Sequence, residues 1–259
     1  MVALSRTYGS IGSYLGQSDH PMWMLHADRL PGHSVIHRGM ERLPPEYFRK
    51  ALRTAIWRFR RTGMTVAFDA SGMSTTNRSV WFDIRIGRKS SRRECVKLHI
   101  AIDVETGLVH SSTITQWNKG DSPQLRRLMK DLPRIAAGLG GAGYSSRVNC
   151  EIVARKGGKA YIIFRSDATG RAKAHPEWRR SFLELAQGPD GWKAIYHLRS
   201  IVEADFSSIK RTRGSALRSR KKRMQRKELA LKVLSYDGRQ VPYDALAQDL
   251  GVGLRVIAT

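Results

Sequence analysis

Residues 95–115, CVKLHIAIDVETGLVHSSTIT, hold two stretches in which apolar and polar side chains alternate, one on each side of the short segment ETG. Alternation with a period of two is typical of a β-strand with one buried face. The stretches CVKLHIAIDV (95–104) and LVHSSTIT (108–115) are therefore predicted strands, and Gly107 shapes the turn between them. Strands joined by so short a turn pair antiparallel.

Further strand patterns lie before and after this hairpin. TVAFD (65–69) and VWFDIRI (80–86) alternate in the same way and extend the prediction to an antiparallel meander. The short apolar run AYIIF (160–164) predicts one more strand. The segment AAGLGGAGYSS (136–146) is so rich in glycine that it predicts only a turn or a weakened strand.

Helical patterns surround these strands. Residues 44–61 predict a helix, and Asp121 is predicted to cap a helix in SPQLRRLMKDL (122–132). Further predicted helices are RVNCEIVARK (147–156), PEWRRSFLELA (176–186), YHLRSIVEADFSSIK (196–210) and ALRSRKKRMQRKELALKVLSY (216–236). Residues 1–42 show no clear period and are predicted to be loosely structured. Strands followed by helices, with a helix between strands, predict an α/β or α+β layered fold.

The charge of the chain is strongly positive. Its 259 residues include 46 Lys and Arg against 22 Asp and Glu, a formal net charge of +24. A compact fold with this balance repels itself unless an anionic partner neutralises it, which makes nucleic acid the leading partner. A membrane surface is the weaker alternative, because no basic amphipathic segment stands apart from the globular pattern. We expect no signal peptide, because residues 1–17 have no continuous apolar stretch and no small-residue cleavage site, and the sequence has no apolar run of membrane-spanning length.

The two cysteines predict neither a zinc site nor a disulfide. Cys95 and Cys150 lie far apart in sequence, and the chain has no Cys-x-x-Cys motif. We interpret both as small hydrophobic residues in a reducing cytosol. The eight histidines show no metal-ligand spacing.

The segment YHLRSIVEADFSSIK (196–210) carries a polar stripe. At about 100° per residue, a single helix over this segment places four versatile side chains on one side: Tyr196, Arg199, Glu203 and Lys210. Apolar residues occupy the opposite side. The simpler alternative is a solvated polar face in which Arg199 and Glu203 form an ordinary i,i+4 ion pair.

A basic segment follows directly. Residues 210–227, KRTRGSALRSRKKRMQRK, contain ten Lys or Arg and no acid. Such a segment is usually a solvated face, but its lack of acidic partners favours contact with phosphates. The residues predicted to contact DNA here are Lys210, Arg211, Arg213, Arg218, Arg220, Lys221, Lys222 and Arg223.

The spacing Tyr-x2-Arg-x3-Glu-x6-Lys, at Tyr196, Arg199, Glu203 and Lys210, resembles the signature of the DDE transposases of prokaryotic insertion sequences, in the subgroup named for those four residues. Other segments agree with that family in order and position. These are VAFDASGM (66–73), KLHIAIDVETGLVHSSTIT (97–115), DSPQLRRLM (121–129), AGYSSR (142–147) and the Arg-x2-Arg-x-Glu-Leu-Ala-Leu-Lys-Val-Leu segment (223–234). The resemblance covers roughly residues 60–240.

The resemblance implies an α/β fold of the RNase H-like type, with a mixed sheet of three antiparallel strands plus parallel strands, flanked by helices and followed by a helical C-terminus. It also implies cleavage and strand transfer of DNA with two Mg²⁺ or Mn²⁺ ions about 4 Å apart. By resemblance, Asp69 bridges both ions and Glu203 holds one of them. Tyr196, Arg199 and Lys210 then face the DNA phosphates near the cut.

One expected acid is missing. The second catalytic Asp of the family normally stands two residues before the Gly-Tyr pair, and in this chain that position is Gly141. We therefore expect a catalytically impaired transposase. Asp121 is the nearest substitute ligand, although a helix cap is its more ordinary role. Asp103 ends a strand that runs the other way, so we expect it on the far side.

The resemblance suggests a division into an N-terminal helical or irregular segment (1–60), a catalytic-type domain (61–236) and a C-terminal tail (237–259). No helix-turn-helix pattern precedes residue 60. A DNA-binding protein that cuts nothing is the main alternative. An RNA-binding or ribosome-associated protein is disfavoured, because it gives Asp69 and Glu203 no role. We expect action on DNA in the cytoplasm, at the nucleoid, and leave open a homodimer.

Overall fold

The computed structural model describes residues 33–75, 85, 87 and 95–250. Its centre is one five-stranded sheet in the order β3-β2-β1-β4-β5. The strands are β1 (Met64–Ser74), β2 (Cys95–Asp103), β3 (Val109–Gln116), β4 (Ile135–Gly140) and β5 (Lys159–Ile162). The pairs β1–β2 and β2–β3 are antiparallel, whereas β1–β4 and β4–β5 are parallel. This mixed sheet confirms the predicted RNase H-like architecture.

Helices cover both faces of the sheet. They are α1 (His33–Arg42), α2 (Pro45–Ala55), α3 (Leu125–Lys130), α4 (Arg147–Arg155), α5 (Pro176–Gln187), α6 (Pro189–His197), α7 (Ser200–Arg213) and α8 (Lys222–Leu250). One core packs α6, α7 and α8 on the face that carries Ala67 and Met73 of β1. The other packs α3, α4 and α5 on the face that carries Val66 and Phe68. The alternation in β1 thus serves two buried cores.

The glycines of β4 fit the side chains packed around that strand. Gly140 pairs with Phe68 of β1, and a Cβ added at Gly140 would lie 2.4 Å from Cε2 of that ring. A Cβ at Gly138 would lie 2.9 Å from Cγ2 of Val153. Packing density therefore requires small residues in this strand. The segment 136–146 is a true strand followed by a 3-10 turn, Ala142–Tyr144.

Several helix boundaries differ from the sequence predictions. The prediction of loose structure for residues 1–42 is wrong for residues 33–42, which form α1, and residues 1–32 lie outside the described part. The helix predicted over 44–61 ends at Ala55. The helix predicted from residue 216 begins only at Lys222, and Ala216 instead forms an isolated β-bridge with Ser74. The predicted strand VWFDIRI, apart from Arg85, lies outside the described residues.

Helix α1 is held to α8 by basic side chains. Lys227 donates to the backbone carbonyls of Met40 and Glu41, at 2.7 and 2.8 Å, and Arg223 also donates to the Glu41 carbonyl. Lys221 pairs with the Glu41 carboxylate at 3.1 Å. These carbonyls lie in the last turn of α1, at the negative end of the helix dipole, so the cations stabilise the end of α1.

The remaining composition-based expectations concern cysteines and membranes. Cys150 is buried, Cys95 is half-buried, and both are free thiols. Among the described residues, no helix is long and apolar enough to cross a membrane.

A buried acid in α8 makes stability depend on pH. Asp237 is fully buried, and its Oδ1 accepts a hydrogen bond from the backbone N–H of Val109 at 3.1 Å. Burial raises the pKa of Asp237 well above its ordinary value, and nearby Asp205 and Asp244 raise it further. The folded chain therefore retains this proton after the unfolded chain has lost it. Stability should fall as the pH rises from about 4 toward the folded-state pKa.

We expect Asp237→Asn to remove that slope, because the amide keeps the acceptor for Val109 and carries no titrating proton. The variant should gain up to about 1.4 kcal/mol relative to the parent for each pH unit in this window. Urea unfolding followed at pH 4 to 8 measures the difference. The exposed Asp167→Asn is the control and should leave the slope unchanged. Parallel curves for the parent and Asp237→Asn would contradict the prediction.

Candidate active site

The first site residue is placed by β1. Asp69 lies directly after Phe68, on the sheet face packed against α7, and its side chain is 26% exposed. Because Phe68 pairs with Gly140 in parallel register, the residue that follows Gly140 leaves the sheet beside Asp69. The structure thus brings together Asp69 and position 141, which are 72 residues apart in sequence.

The segment 196–210 is not one helix, so that prediction is wrong. Helix α6 ends at His197 and α7 begins at Ser200. Between them the backbone hydrogen bonds join residues three apart instead of four. The Leu198 N–H donates to the Ile195 carbonyl, and the Arg199 N–H donates to the Tyr196 carbonyl. A tighter turn of this kind changes the angular spacing of side chains. Tyr196 therefore belongs to α6, where it stacks on Trp192 at 5.4 Å.

Arg199, at the junction of the two helices, joins the two predicted catalytic acids. Its Nη1 lies 3.3 Å from Oδ2 of Asp69, and its Nη2 lies 2.6 Å from Oε1 of Glu203 on α7. Its guanidinium carbon is 5.8 Å from the centroid of the Tyr196 ring. The ordinary i,i+4 pair with Glu203 is present, but the same guanidinium also reaches Asp69 across the fold.

Position 141 opens onto the same guanidinium. A Cβ added at Gly141 would lie 3.7 Å from Nη1 of Arg199, an ordinary van der Waals distance. The backbone at Gly141 has φ −73° and ψ 174°, which any residue adopts. Neither space nor backbone conformation therefore requires glycine here. A longer side chain at this position would project toward Arg199.

The electrostatics of the pair follow from burial and proximity. Burial raises the pKa of Asp69, and the charges of Glu203 and Asp121 raise it further, while the backbone N–H of Ala70 and the charge of Arg199 oppose the shift. Burial disfavours the charge of Arg199, yet Tyr196, Asp69 and Glu203 together raise its pKa. Arg199 therefore stays charged and partly neutralises the two acids.

Lys210 contacts β1 two residues beyond Asp69. Its Nζ donates to Oγ of Ser71 at 2.7 Å, and Ser71 lies two residues beyond Asp69 on the same face of β1. Of the four signature residues, Arg199 and Lys210 thus contact β1 directly, and Glu203 is linked to it through Arg199.

Asp121 does not cap a helix with its side chain, contrary to the more ordinary of its two predicted roles. It precedes a 3-10 helix, Ser122–Gln124, but makes no capping hydrogen bond. Its carboxylate instead pairs with Lys97 at 2.7 Å and lies 3.8 Å from His99. A Cβ at Gly143 would lie 2.9 Å from its Oδ2.

The position of Asp121 relative to Asp69 follows from strand register. Lys97 and His99 pair with Gly72 and Ala70, whereas Asp69 pairs with Ile100. Alternation therefore places the partners of Asp121 on the opposite face from Asp69. The two acids are nevertheless close enough for the charge of Asp121 to raise the pKa of Asp69.

Asp103 lies toward the start of β1 and away from Asp69, as predicted. It pairs with Val66, three residues before Asp69 on β1, and hydrogen-bonds to Thr106 at 3.1 Å. Arg61 lies 3.4 Å from its Oδ2.

A buried polar network beneath the Gly-Tyr turn was not predicted from the sequence. Nε2 of His99 lies 2.9 Å from Oγ1 of Thr115, and Nδ1 lies 3.4 Å from the Tyr144 hydroxyl. Burial lowers the pKa of His99 to about 4, with Asp121 opposing, so the ring is neutral at pH 7. The signal was the alternation of β2, which puts polar Lys97 and His99 on a face that the fold buries.

The basic segment has two kinds of cation. Arg213 donates to the carbonyl of Ser235 at 2.8 Å, and Lys221 and Arg223 hold α1 as described above. Other cations predicted to contact DNA are exposed on the surface: Arg211, Arg218, Arg220 and Lys222. The end of α7, the start of α8 and the segment between them therefore carry exposed positive charge on the side of the sheet packed by these two helices.

The donor set suits one divalent ion and not two. In the described part of the chain, no group of three or more His, Cys, Asp or Glu could hold a metal. Asp69 and Glu203 both contact the guanidinium of Arg199, so the two carboxylates could hold a single divalent ion in place of that group. Mg²⁺ commonly binds through one or two carboxylates plus phosphates of the substrate. A second ion would lack the charged ligand that Gly141 does not supply.

Comparison with known proteins gives one family. Residues 60–237 match the family described as a transposase DDE domain. No curated protein matches the chain. A solved structure, the Mos1 transposase paired-end complex with left transposon end, is similar over 74% of this chain and 78% of that chain. Its sequence identity of 9% and TM-score of 0.26 are too low to support an argument.

Proposed function

This chain belongs to the transposase DDE domain family, and from that premise we propose that it is a DNA transposase of the prokaryotic insertion-sequence type, impaired by the glycine at position 141. The proposal rests on one observation. Asp69, position 141 and Glu203, which are distant in sequence, surround a single guanidinium. The fold class alone would not support an activity, because one fold hosts many functions.

In this proposal, Asp69 and Glu203 hold a Mg²⁺ or Mn²⁺ ion. When bound, the ion supplies charge stabilisation for in-line displacement at a DNA phosphate. The protein's own part is to bind and orient the DNA. Lys210 of α7 contacts Ser71 on β1, Arg199 contacts Asp69, and the Tyr196 ring lies beside Arg199. All three side chains are therefore proposed to contact the DNA backbone near the cut.

We propose that residues 61–236 form the catalytic-type domain, with 1–60 and 237–259 as the flanking segments. Helix α8 runs without a break through residue 237, so the last segment begins inside a helix.

The second candidate is a DNA-binding protein that cuts nothing. The ion pairs of Arg199 with both acids, together with Gly141, favour it. A metal-dependent nicking and strand-transfer assay on supercoiled DNA separates the two candidates. Any residual cleavage by the parent should disappear in Asp69→Asn, which keeps the shape of the side chain and removes its charge, and should survive in the exposed Asp167→Asn. Equal cleavage by the parent and Asp69→Asn would refute the proposed site.

The exposed cations yield a prediction about DNA affinity. Replacing Arg218, Arg220 and Lys222 together by glutamine should weaken binding to duplex DNA and reduce the slope of log affinity against log salt by about 3, since each lost phosphate contact removes about 0.9. Fluorescence anisotropy at several salt concentrations measures both quantities.

The matched control removes the same charge from the other side of the sheet. Arg126, Lys130 and Arg155 are exposed on α3 and α4, which pack on the opposite face from α7 and α8. Their triple glutamine variant should retain most of the affinity and of the salt slope. Equal losses in both triple variants would mean that net charge alone governs binding, and would contradict a defined DNA face.

A further inference from the structure

Two acids share one internal cation in this structure. The guanidinium of Arg199 contacts Asp69 at 3.3 Å and Glu203 at 2.6 Å. Among the described residues, Asp69 and Glu203 are the two carboxylates that contact this guanidinium, and position 141, which faces it, is glycine. The cation therefore occupies the place where the ion would bind.

The guanidinium and a divalent ion compete for the same carboxylate oxygens, Oδ2 of Asp69 and Oε1 of Glu203. Mg²⁺ requires ligand oxygens at about 2.0–2.1 Å in near-octahedral order, and it would have to draw Asp69 and Glu203 together around itself. A guanidinium already bonded to both oxygens blocks that approach, and its charge repels the incoming ion. An ion that binds through these two oxygens must displace Arg199 from them.

The surroundings of Arg199 permit such a move. The side chain is 19% exposed, in contrast to the fully buried acid of α8. It stands at the short junction between α6 and α7, with the Tyr196 ring on one side and Gly141, which has no side chain, on the other. A guanidinium forms paired hydrogen bonds to phosphate as readily as to carboxylate.

We propose that Arg199 is a gating residue that closes the Asp69–Glu203 site in the free protein and opens it to a divalent ion when a DNA phosphate takes over the guanidinium. This inference rests on the proposed function, since it assumes that DNA binds at this face. It goes further, because it couples the binding of DNA to the binding of the divalent ion. By linkage, DNA raises the affinity for the ion by the same factor as the ion raises the affinity for DNA.

The test is Mn²⁺ binding without catalysis, measured by electron paramagnetic resonance of free Mn²⁺. Without DNA, Arg199→Gln should bind Mn²⁺ about 10-fold more tightly than the parent. The control Lys193→Gln removes one exposed positive charge from α6 and should bind Mn²⁺ like the parent. A Mn²⁺ affinity of Arg199→Gln equal to or below that of the parent overturns the inference.

The second arm measures coupling. Fluorescence anisotropy of a short DNA duplex is recorded with and without Mn²⁺ at constant ionic strength. Because this readout reports protein bound to DNA, Mn²⁺ ions that bind the duplex itself are not counted. Mn²⁺ should tighten DNA binding by the parent about 10-fold, and by a smaller factor in Arg199→Gln, where no guanidinium has to be displaced. DNA binding by the parent that does not respond to Mn²⁺ overturns the gate and leaves DNA binding standing. Absence of DNA binding by the parent would instead refute the proposed function.

Discussion

Gly141→Asp should give the chain metal-dependent DNA nicking at a rate at least about 100-fold above the parent. The backbone at this position accepts any residue, and a Cβ clears Arg199 by 3.7 Å. The added carboxylate would stand beside the guanidinium that already links Asp69 and Glu203. Removing even an outer partner of a metal ligand typically costs 10- to 100-fold (about 1–3 kcal/mol) in affinity or activity, so supplying a missing charged ligand should exceed that.

Gly141→Asn is the matched control, because it has the shape of aspartate without the charge. It should nick DNA no faster than the parent in the same assay with Mg²⁺ or Mn²⁺ on supercoiled DNA. Nicking by the parent at the rate of Gly141→Asp would mean that another acid, Asp121 first, already serves a second ion. Nicking by neither, with DNA binding intact, would favour the DNA-binding protein that cuts nothing.

Gly140→Ala, one residue earlier, should destabilise the fold by about 2–3 kcal/mol. Its Cβ would approach the Phe68 ring to 2.4 Å, and the ring is completely buried between β1 and the helices behind it. Because the core is close-packed, the ring cannot move away without displacing its neighbours. Urea unfolding followed by circular dichroism measures the loss.

Two further variants separate this clash from a general effect of replacing glycine in the segment. Gly141→Ala adds the same methyl group where space is open, and should change stability by less than about 0.5 kcal/mol. Phe68→Leu placed in the Gly140→Ala background should cost less than it does in the parent, since the two residues are in contact. Additive losses in the double variant would show that the predicted clash is not the cause.

The strands were predictable where alternation is local. The hairpin 95–115 and the strand at 65–69 follow from a period of two, because one buried face imposes it. The strand at 135–140 was not clearly predictable. Its glycines lower strand propensity, and the reason for them is side chains of other elements: Val153 for Gly138, and for Gly140 the ring of Phe68, more than sixty residues earlier in the chain. Sequence propensity contains no information on such a contact.

The candidate site was predicted from residue types and spacing, but its geometry was not. The helical wheel assumed an unbroken helix over 196–210, and the tighter turn at Leu198–Arg199 invalidates that assumption. Likewise, the basic segment 210–227 suggested phosphate contacts throughout. Several of its cations instead bind carbonyls or acids of distant elements, such as the end of α1. Partners that are remote in sequence cannot be inferred from a run of charge.

The contact between Phe68 and Gly140 also determines whether position 141 stays aligned with Asp69 when the residue at 141 changes. A one-residue slip between β1 and β4 that placed Leu139 against the ring would produce a clash, because the place opposite Phe68 leaves no room for a side chain. The alignment of Asp69 with position 141 is therefore maintained by core packing and not by the chemistry of either residue. A lineage that loses the acid at 141 keeps the position correctly placed, and substitution of that single residue is enough to bring the acid back.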